Sequence, residues 1–199
     1  NDMITDAYQI WNDSVKPQTI EITGDGLTKE SFKITGNAEV NINGDVAELK
    51  GPATAMIMLD KKSLIRPNTT VKTKIKYDKI NAWTTVQLLQ QGNDAPGPTQ
   101  STSYFVVFKP DVIELQRYPK DTSWTNGIVL QVPNNKEIVK DNQWFDFEYT
   151  LTYQDDGLNL SIKIDGKEYF NYTDNLTKNY TFDSIGFMIN GGNSMTYIK

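Results

Sequence analysis

Carboxylates are the side chains through which this chain could perform acid–base chemistry. The 199 residues include no histidine and no cysteine, which excludes imidazole bases, thiolate nucleophiles, thiolate zinc sites and disulfides. Asp146 and Glu148 are two residues apart, so a strand would place both on one face, whereas Glu114 is a lone acid. Because Phe145 and Phe147 alternate with the pair, the simplest interpretation is that Asp146 and Glu148 are solvated residues opposite a buried face.

Aromatic, amide and carboxylate side chains form a second set, and their spacing suits ligand binding. Alternate residues of a strand face the same side, so segments 83–91 and 112–118 each present polar and aromatic side chains opposite apolar ones. If both segments lie in one sheet, they would line a groove with Trp83, Gln87, Glu114, Gln116 and Tyr118, with Arg117 at the strand end and Trp124 as a wall.

Strands are the elements that must position these side chains. Apolar and polar residues alternate with a period of two along most of the chain, and glycine, asparagine and aspartate punctuate the runs, as at residues 43–45 and 165–166. A helical turn is expected only near residues 4–11. About a dozen short strands without crossover helices predict an all-β fold, an antiparallel β-sandwich of jelly-roll type with two packed sheets. One domain over residues 1–199 suffices, and excision from a larger multidomain protein is compatible with the sequence.

The charge balance limits the partners. With 20 basic and 25 acidic residues, the net charge is −5, so the overall field repels phosphate backbones and anionic lipids. The longest apolar stretches, residues 53–59 and 185–189, are far shorter than the roughly 20 residues that span a bilayer. We therefore expect neither a nucleic acid nor a membrane as partner.

Four segments together resemble one protein superfamily. They are YFVVFKPDVIELQRY (104–118), NQW (142–144), LNLSIKIDGKE (158–168) and SIGFMINGGN (184–193). These segments resemble the concanavalin A-like lectin/glucanase superfamily, with the strongest likeness to its laminin-G-like carbohydrate-binding modules, over about residues 30–199. The resemblance implies a non-catalytic module that binds a poly- or oligosaccharide in the groove described above. Aromatic rings would stack on the apolar faces of the sugars, and amide and carboxylate groups would bind the hydroxyls.

The same resemblance disfavours catalysis. Hydrolases of the superfamily carry acids at alternate strand positions, and retaining enzymes need two carboxyls about 5–5.5 Å apart. Asp146 and Glu148 are the nearest match, but Trp144, which we expect in the core, stands where that pattern has a third acid. Lyases of the superfamily use a histidine, which this chain lacks. A carboxylate-using hydrolase or lyase is the first alternative, and a structural or adhesion domain of a surface protein is the second.

The resemblance also bears on metal and context. Similar modules often hold a structural calcium, for which the candidate ligands here are Asp25, Asp155 and Asp156, although glycine–aspartate pairs are commoner as plain turns. We expect no required cofactor. The resemblance implies an extracellular or cell-surface location, a bacterial source and a neighbouring catalytic domain in the full-length protein.

Overall fold

The computed structural model describes residues 3, 16–35, 39–51, 55–59, 68–81, 84–90, 102–119, 121–123, 125–154, 157–175, 186–189 and 195–199. Two short 3₁₀ turns, Gly24–Gly26 and Lys29–Ser31, follow the first strand. The described strands are β1 (Gln18–Ile22), β2 (Phe32–Thr35), β3 (Glu39–Asn43), β4 (Val46–Lys50), β5 (Ala55–Leu59), β6 (Thr69–Tyr77), β7 (Thr84–Gln90), β8 (Ser103–Phe108), β9 (Val112–Tyr118), β10 (Ile128–Pro133), β11 (Phe145–Gln154), β12 (Gly157–Ile164), β13 (Lys167–Asp174), β14 (Gly186–Ile189) and β15 (Met195–Ile198). The helical turn expected near residues 4–11 lies outside the described residues.

The strands form two sheets, which confirms the predicted β-sandwich of jelly-roll type. The seven-stranded sheet has the order β10-β9-β8-β7-β14-β5-β2. The eight-stranded sheet has the order β13-β12-β11-β6-β15-β4-β3, with β1 beside β6. β1 runs parallel to β6, unlike the antiparallel pairing predicted for the whole chain. This is possible because the strands between β1 and β6 supply the long connection that parallel neighbours need.

Alternation decides which side chains fill the space between the sheets. The alternate apolar residues of β12 are at most 1% exposed, which confirms the prediction from their spacing. Asn159 alternates with these apolar residues, so the period of two predicts that it faces water, but it is buried instead. Its amide donates hydrogen bonds to Asn171 Oδ1 at 2.7 Å and to Thr173 Oγ1 at 3.1 Å on β13. The buried amide is therefore compensated by bonds across the strand pair.

Aromatic contacts join the two sheets. The ring centroid of Phe108 on β8 lies 5.4 Å from that of Phe145 and 6.1 Å from that of Phe147, both on β11. The hydroxyl of Tyr149, also on β11, donates a 2.7 Å hydrogen bond to the carbonyl of Leu88 on β7. These contacts fix the seven-stranded sheet against the eight-stranded one.

One glycine permits a close backbone approach at the end of β1. A Cβ at Gly24 would lie 2.6 Å from the carbonyl oxygen of Ile198 and would also collide with the carbonyl of Asp45. Only a residue without a side chain fits between the ends of β4 and β15 here.

Candidate functional site

The strands that carry the predicted groove residues lie in one sheet. β7 and β9 flank β8 in the seven-stranded sheet, so both strands lie in one sheet, which is the condition for the predicted groove. On β9, Ile113 and Leu115 belong to the core between the sheets, so Glu114, Gln116 and Tyr118 point to the opposite, outer face. These three side chains are only 2 to 3% exposed. The outer face at β9 is therefore a second buried layer and not a bare sheet surface.

Apolar side chains of β8 share this layer. Phe105 and Val107 cluster with Tyr118 apart from the main core, and the rings of Phe105 and Tyr118 meet edge to face with centroids 5.9 Å apart. Gln87 on β7 is also fully buried, and its Nε2 lies 3.5 Å from Ser103 Oγ. Of the predicted groove, the structure thus places Gln87 on the same sheet as the β9 residues, two strands away.

A continuous hydrogen-bonded row runs along β9. The hydroxyl of Tyr118 donates to Gln116 Oε1 at 2.6 Å, and Gln116 Nε2 donates to Glu114 Oε1 at 3.2 Å. Lys109 Nζ lies 2.7 Å from Glu114 Oε1, and Gln131 Nε2 on β10 donates to Glu114 Oε2 at 2.6 Å. We call Lys109, Glu114, Gln116, Tyr118 and Gln131 the polar edge.

The charges of the polar edge keep Glu114 ionised. Burial alone would raise the pKa of Glu114, but hydrogen bonds from Lys109, Gln131 and Gln116, with the positive charge of Lys109, hold that pKa below its ordinary value. Burial, together with the negative charge of Glu114, raises the pKa of Tyr118. At neutral pH the row thus offers a carboxylate acceptor at one end and a neutral phenol at the other.

The polar edge reaches solvent at β10 and at the turn between β8 and β9. Gln131 is exposed, and the side chain of Lys109 is 26% exposed. Ile128, which pairs with Gln116 across β9 and β10, is 48% exposed. An apolar side chain thus lies on the strand that also presents the amide of Gln131, with the ammonium of Lys109 nearby, and this arrangement suits a ligand with hydroxyl groups and apolar faces.

Arg117 is not brought together with the other predicted groove residues. Its Nε donates to Asp174 Oδ2 on β13, and the hydroxyl of Tyr104 on β8 donates to the same oxygen. The side chain of Asp174 is 1% exposed and that of Arg117 is 10% exposed. Arg117 therefore ties the seven-stranded sheet to the eight-stranded sheet from the inner face, opposite to the polar edge.

Two tryptophans of the predicted groove, Trp83 and Trp124, lie outside the described residues. Gly127, the residue before β10, lies against the ring of Tyr118. A Cβ at Gly127 would lie 2.8 Å from Tyr118 Oη and closer still to the ring. This glycine therefore permits the backbone before β10 to approach the Tyr118 end of the polar edge.

The acidic pair considered for catalysis lies on the other side of the sandwich. Asp146 and Glu148 occupy the outer face of β11, where Lys74 Nζ lies 3.8 Å from Asp146 and Lys72 Nζ lies 3.5 Å from Glu148. Because stacked sheets are about 10 Å apart, Glu114 on the opposite outer face is too distant to act with either acid. The described residues thus confirm the interpretation of Asp146 and Glu148 as surface residues opposite a buried face.

The predicted calcium ligands are only partly described. Asp25 is exposed in the turn Gly24–Gly26, and Asp155 and Asp156 lie outside the described residues. Within the described ranges, no group of three or more acidic side chains could hold a metal ion. Calcium binding stays a prediction. No helix in the described part of the chain has the length and apolar character needed to cross a membrane.

Sequence reasoning missed three residues that the tertiary structure makes prominent. Lys109 and Gln131 complete the polar edge, and strand alternation across β10 would have found Gln131 once the pairing of β10 with β9 was known. Trp144, expected in the core, is half-buried beneath the ammonium of Lys76, 5.2 Å from the ring centroid. It precedes β11 on the outward side, because Phe145 takes the inward position.

Comparison with solved structures identifies the class of fold. The metal-free carbohydrate recognition domain of Emp46p matches with a TM-score of 0.59 and 10% identity, over 85% of this chain and 87% of that one. The carbohydrate-binding module CBM66 from Bacillus subtilis matches with a TM-score of 0.56 and 10% identity, over 84% and 91% of the two chains. A glycoside hydrolase family 16 endo-glucanase from Bacteroides ovatus matches with a TM-score of 0.56 and 11% identity, over 87% and 95%.

The fold is that of the concanavalin A-like lectin/glucanase proteins, as the sequence resemblance predicted. No protein-family model matches the sequence, and comparison with curated proteins finds no relative. Binding domains and hydrolases both occur among the structural neighbours. The fold therefore does not decide between binding and catalysis, and the side chains must.

Proposed function

We propose that this chain is a non-catalytic carbohydrate-binding domain that holds a poly- or oligosaccharide at the polar edge. The observation that carries the proposal is the pair of solvent-reaching side chains Lys109 and Gln131, which the buried, ionised Glu114 fixes in place. Ile128, 48% exposed, lies on the neighbouring part of β10. Neighbouring sugar hydroxyls would accept from the ammonium of Lys109 and from the amide of Gln131, both of which the carboxylate of Glu114 holds in position. The apolar C–H face of the same sugar would rest on Ile128.

The protonation state of Glu114 argues against a role as the acid of a glycosidase. A glycosidase acid must keep its proton near neutral pH, which requires a raised pKa. The pKa of Glu114 is lowered instead, so this carboxyl is a hydrogen-bond acceptor and a poor proton donor. Asp146 and Glu148, the two acids considered for catalysis, are each paired with a lysine on β6 of the opposite sheet and supply no partner for Glu114.

The structural neighbours support carbohydrate binding as the class of function. Two of them are a carbohydrate recognition domain and a carbohydrate-binding module, and the chain covers most of each. The hydrolase neighbour keeps a carboxylate-based enzyme as the alternative, and an assay for released reducing sugar distinguishes it.

A purely adhesive surface domain would be expected to carry a contiguous apolar patch. Among the described residues, the large apolar side chains that are exposed are Met3, Ile42 and Ile128. They belong to three separate segments of the chain. The polar edge is therefore better suited to a sugar than to an apolar protein surface.

As part of the same proposal, the domain works outside the cell and directs an attached glycan-degrading enzyme or surface protein of a bacterium to its polysaccharide.

The test begins with wild-type protein on an array of neutral and acidic oligosaccharides, followed by calorimetry with the best ligand. Gln131→Ala should weaken binding about three- to tenfold, because it removes one hydrogen bond to the sugar and one support of Glu114. Glu114→Gln should weaken it at least as much. Gln143→Ala removes an exposed glutamine elsewhere and serves as the matched control, with unchanged affinity.

The proposal fails in either of two results. Unchanged affinity in both Gln131→Ala and Glu114→Gln would show that the ligand does not bind at the polar edge. Release of reducing sugar by the wild-type protein, abolished in Glu114→Gln, would show that the chain is an enzyme.

A further inference from the structure

A second cluster of aromatic and cationic side chains lies on the opposite side of the sandwich. Lys76 on β6 stands between two rings on the outer face of the eight-stranded sheet, with its Nζ 5.2 Å from the centroid of Trp144 and 4.6 Å from that of Tyr197. The ammonium of Lys199 is 5.9 Å from the same Trp144 ring. Trp144, Tyr197 and Lys76 are half-buried and Lys199 is exposed. We call these four residues the aromatic cluster.

The two ammonium groups of the aromatic cluster carry positive charge without a bound acid. Among the residues that the structure describes, neither Lys76 nor Lys199 takes part in an ion pair within 4.0 Å. Their contacts are with the faces of aromatic rings, which attract a cation but leave its N–H donors available. Two like charges at one indole ring repel each other, and an anion placed between them would remove that repulsion.

Negative charges limit the anion to one side of the cluster. Tyr197 pairs with Glu48 across β15 and β4. Burial, with the negative charges of Asp78 and Glu48, raises the pKa of Tyr197. These carboxylates would repel an anion from the Tyr197 side. The favourable position is therefore beside Trp144, between Lys76 and Lys199.

A groove continues from this position along the outer face of β6 and β11. It has a volume of about 400 Å³, which is within the range of small-ligand pockets. Lys199, a member of the aromatic cluster, also lines this groove. Its walls carry both signs of charge, including Glu21, Lys74 and Asp146. Lys74 and Asp146 are 58% and 63% exposed and 3.8 Å apart, so solvent screens their attraction and both remain available to hydroxyl groups.

We propose that the aromatic cluster is a second saccharide site, specific for a sugar residue that bears a carboxylate or sulfate. The ring of Trp144 supports the apolar face of that sugar, Lys76 and Lys199 bind its anionic group, and the groove receives the adjoining units of the same chain. The proposal shares only the ligand class with the proposed function, because the polar edge lies on the opposite sheet.

The experiment measures binding of an oligogalacturonate, a neutral gluco-oligosaccharide of equal length and an oligoglutamate by calorimetry. The variant K76Q/K199Q replaces both ammonium groups by uncharged amides on side chains one atom shorter, so it should fold normally. It should bind the oligogalacturonate about tenfold or more weakly, because two charge-assisted hydrogen bonds are lost. Wild-type affinity for this probe should fall as salt is raised. K167Q is the matched control, since Lys167 lies 5.2 Å over the Tyr169 ring at another place.

A second readout locates the ligand without relying on stability. The indole N–H resonance of Trp144, assigned by its loss in W144F, should shift on addition of the oligogalacturonate in wild-type protein and not on addition of the neutral probe at equal concentration.

The site assignment is wrong if K76Q/K199Q binds the oligogalacturonate as well as wild type does, or if K167Q loses as much affinity. It is also wrong if the oligoglutamate binds as tightly as the oligogalacturonate, because the cluster would then attract charge alone. Gln131→Ala separates this result from the proposed function, since that variant should leave oligogalacturonate binding at the aromatic cluster unchanged.

Discussion

Removal of Arg117 is expected to destabilise the fold severely, although from the sequence this residue is a candidate for ligand binding. Arg117 and Asp174 join the two sheets, with side chains 10% and 1% exposed. Arg117→Leu leaves the carboxylate of Asp174 buried with Tyr104 as its described hydrogen-bond donor. Breaking a buried ion pair by removal of one partner costs about 3–5 kcal/mol. For a chain of this length, each kcal/mol lowers the Tm by about 2–4 °C, so a fall of about 6–20 °C is expected.

Thermal and urea unfolding followed by circular dichroism measure this change. The double variant Arg117→Leu/Asp174→Leu should be more stable than Arg117→Leu alone, because it no longer contains a buried carboxylate that has lost its guanidinium partner. Lys74→Met is the control, since the pair of Lys74 with Asp146 is more than half exposed and should contribute at most about 1 kcal/mol. A Tm for Arg117→Leu close to that of Lys74→Met, or a double variant less stable than the single one, would refute the role of Arg117 as a tie between the sheets.

The pH dependence of the free energy of unfolding should reveal the stabilising contribution of ionised Glu114. Because the pKa of Glu114 is lower in the folded chain than in the unfolded one, its ionised form stabilises the fold above the unfolded pKa, and this contribution disappears as pH falls through the folded pKa. The free energy of unfolding of wild type should therefore exceed that of Glu114→Gln by less and less as pH falls from neutral through the folded pKa of Glu114. A difference that grows instead would contradict the hydrogen-bonded row. Gly24→Ala should cost roughly 1–3 kcal/mol or more through collision with backbone carbonyls, whereas Gly26→Ala, with its nearest contact 3.3 Å away on a side chain, should cost less. Gly127→Ala should displace Tyr118 and weaken binding of the saccharide at the polar edge. Unchanged affinity in that variant would show that Tyr118 does not contribute to ligand binding.

The period-two pattern was sufficient to predict the strands and the face on which each side chain lies. The predicted segment 112–118 matches β9, and Glu114, Gln116 and Tyr118 share a face as their spacing required. Composition alone also removed histidine and cysteine chemistry. The face on which a side chain lies is a local property, because successive side chains of a strand point to opposite faces.

Which strands are neighbours was decided only by the tertiary structure. Lys109, Glu114 and Gln131 meet because β10 pairs with β9 beyond the turn after β8, and no local pattern specifies that register. Arg117 is the clearest case, since its partner Asp174 is 57 positions away in sequence. Alternation places Arg117 on the inner face of β9, but only the packing of β13 against that face supplies a buried carboxylate there.

For the two outer faces of the sandwich, too, some properties follow from the sequence and others only from the tertiary structure. The sequence by itself determined that this chain folds into strands with one apolar and one polar face and without histidine or cysteine chemistry. Only the tertiary structure decided that the polar face of β9 is buried around an ionised Glu114, while Trp144 faces outward over Lys76. The physical reason is that strand alternation depends on neighbouring residues, whereas burial and charge pairing depend on which distant segments pack together.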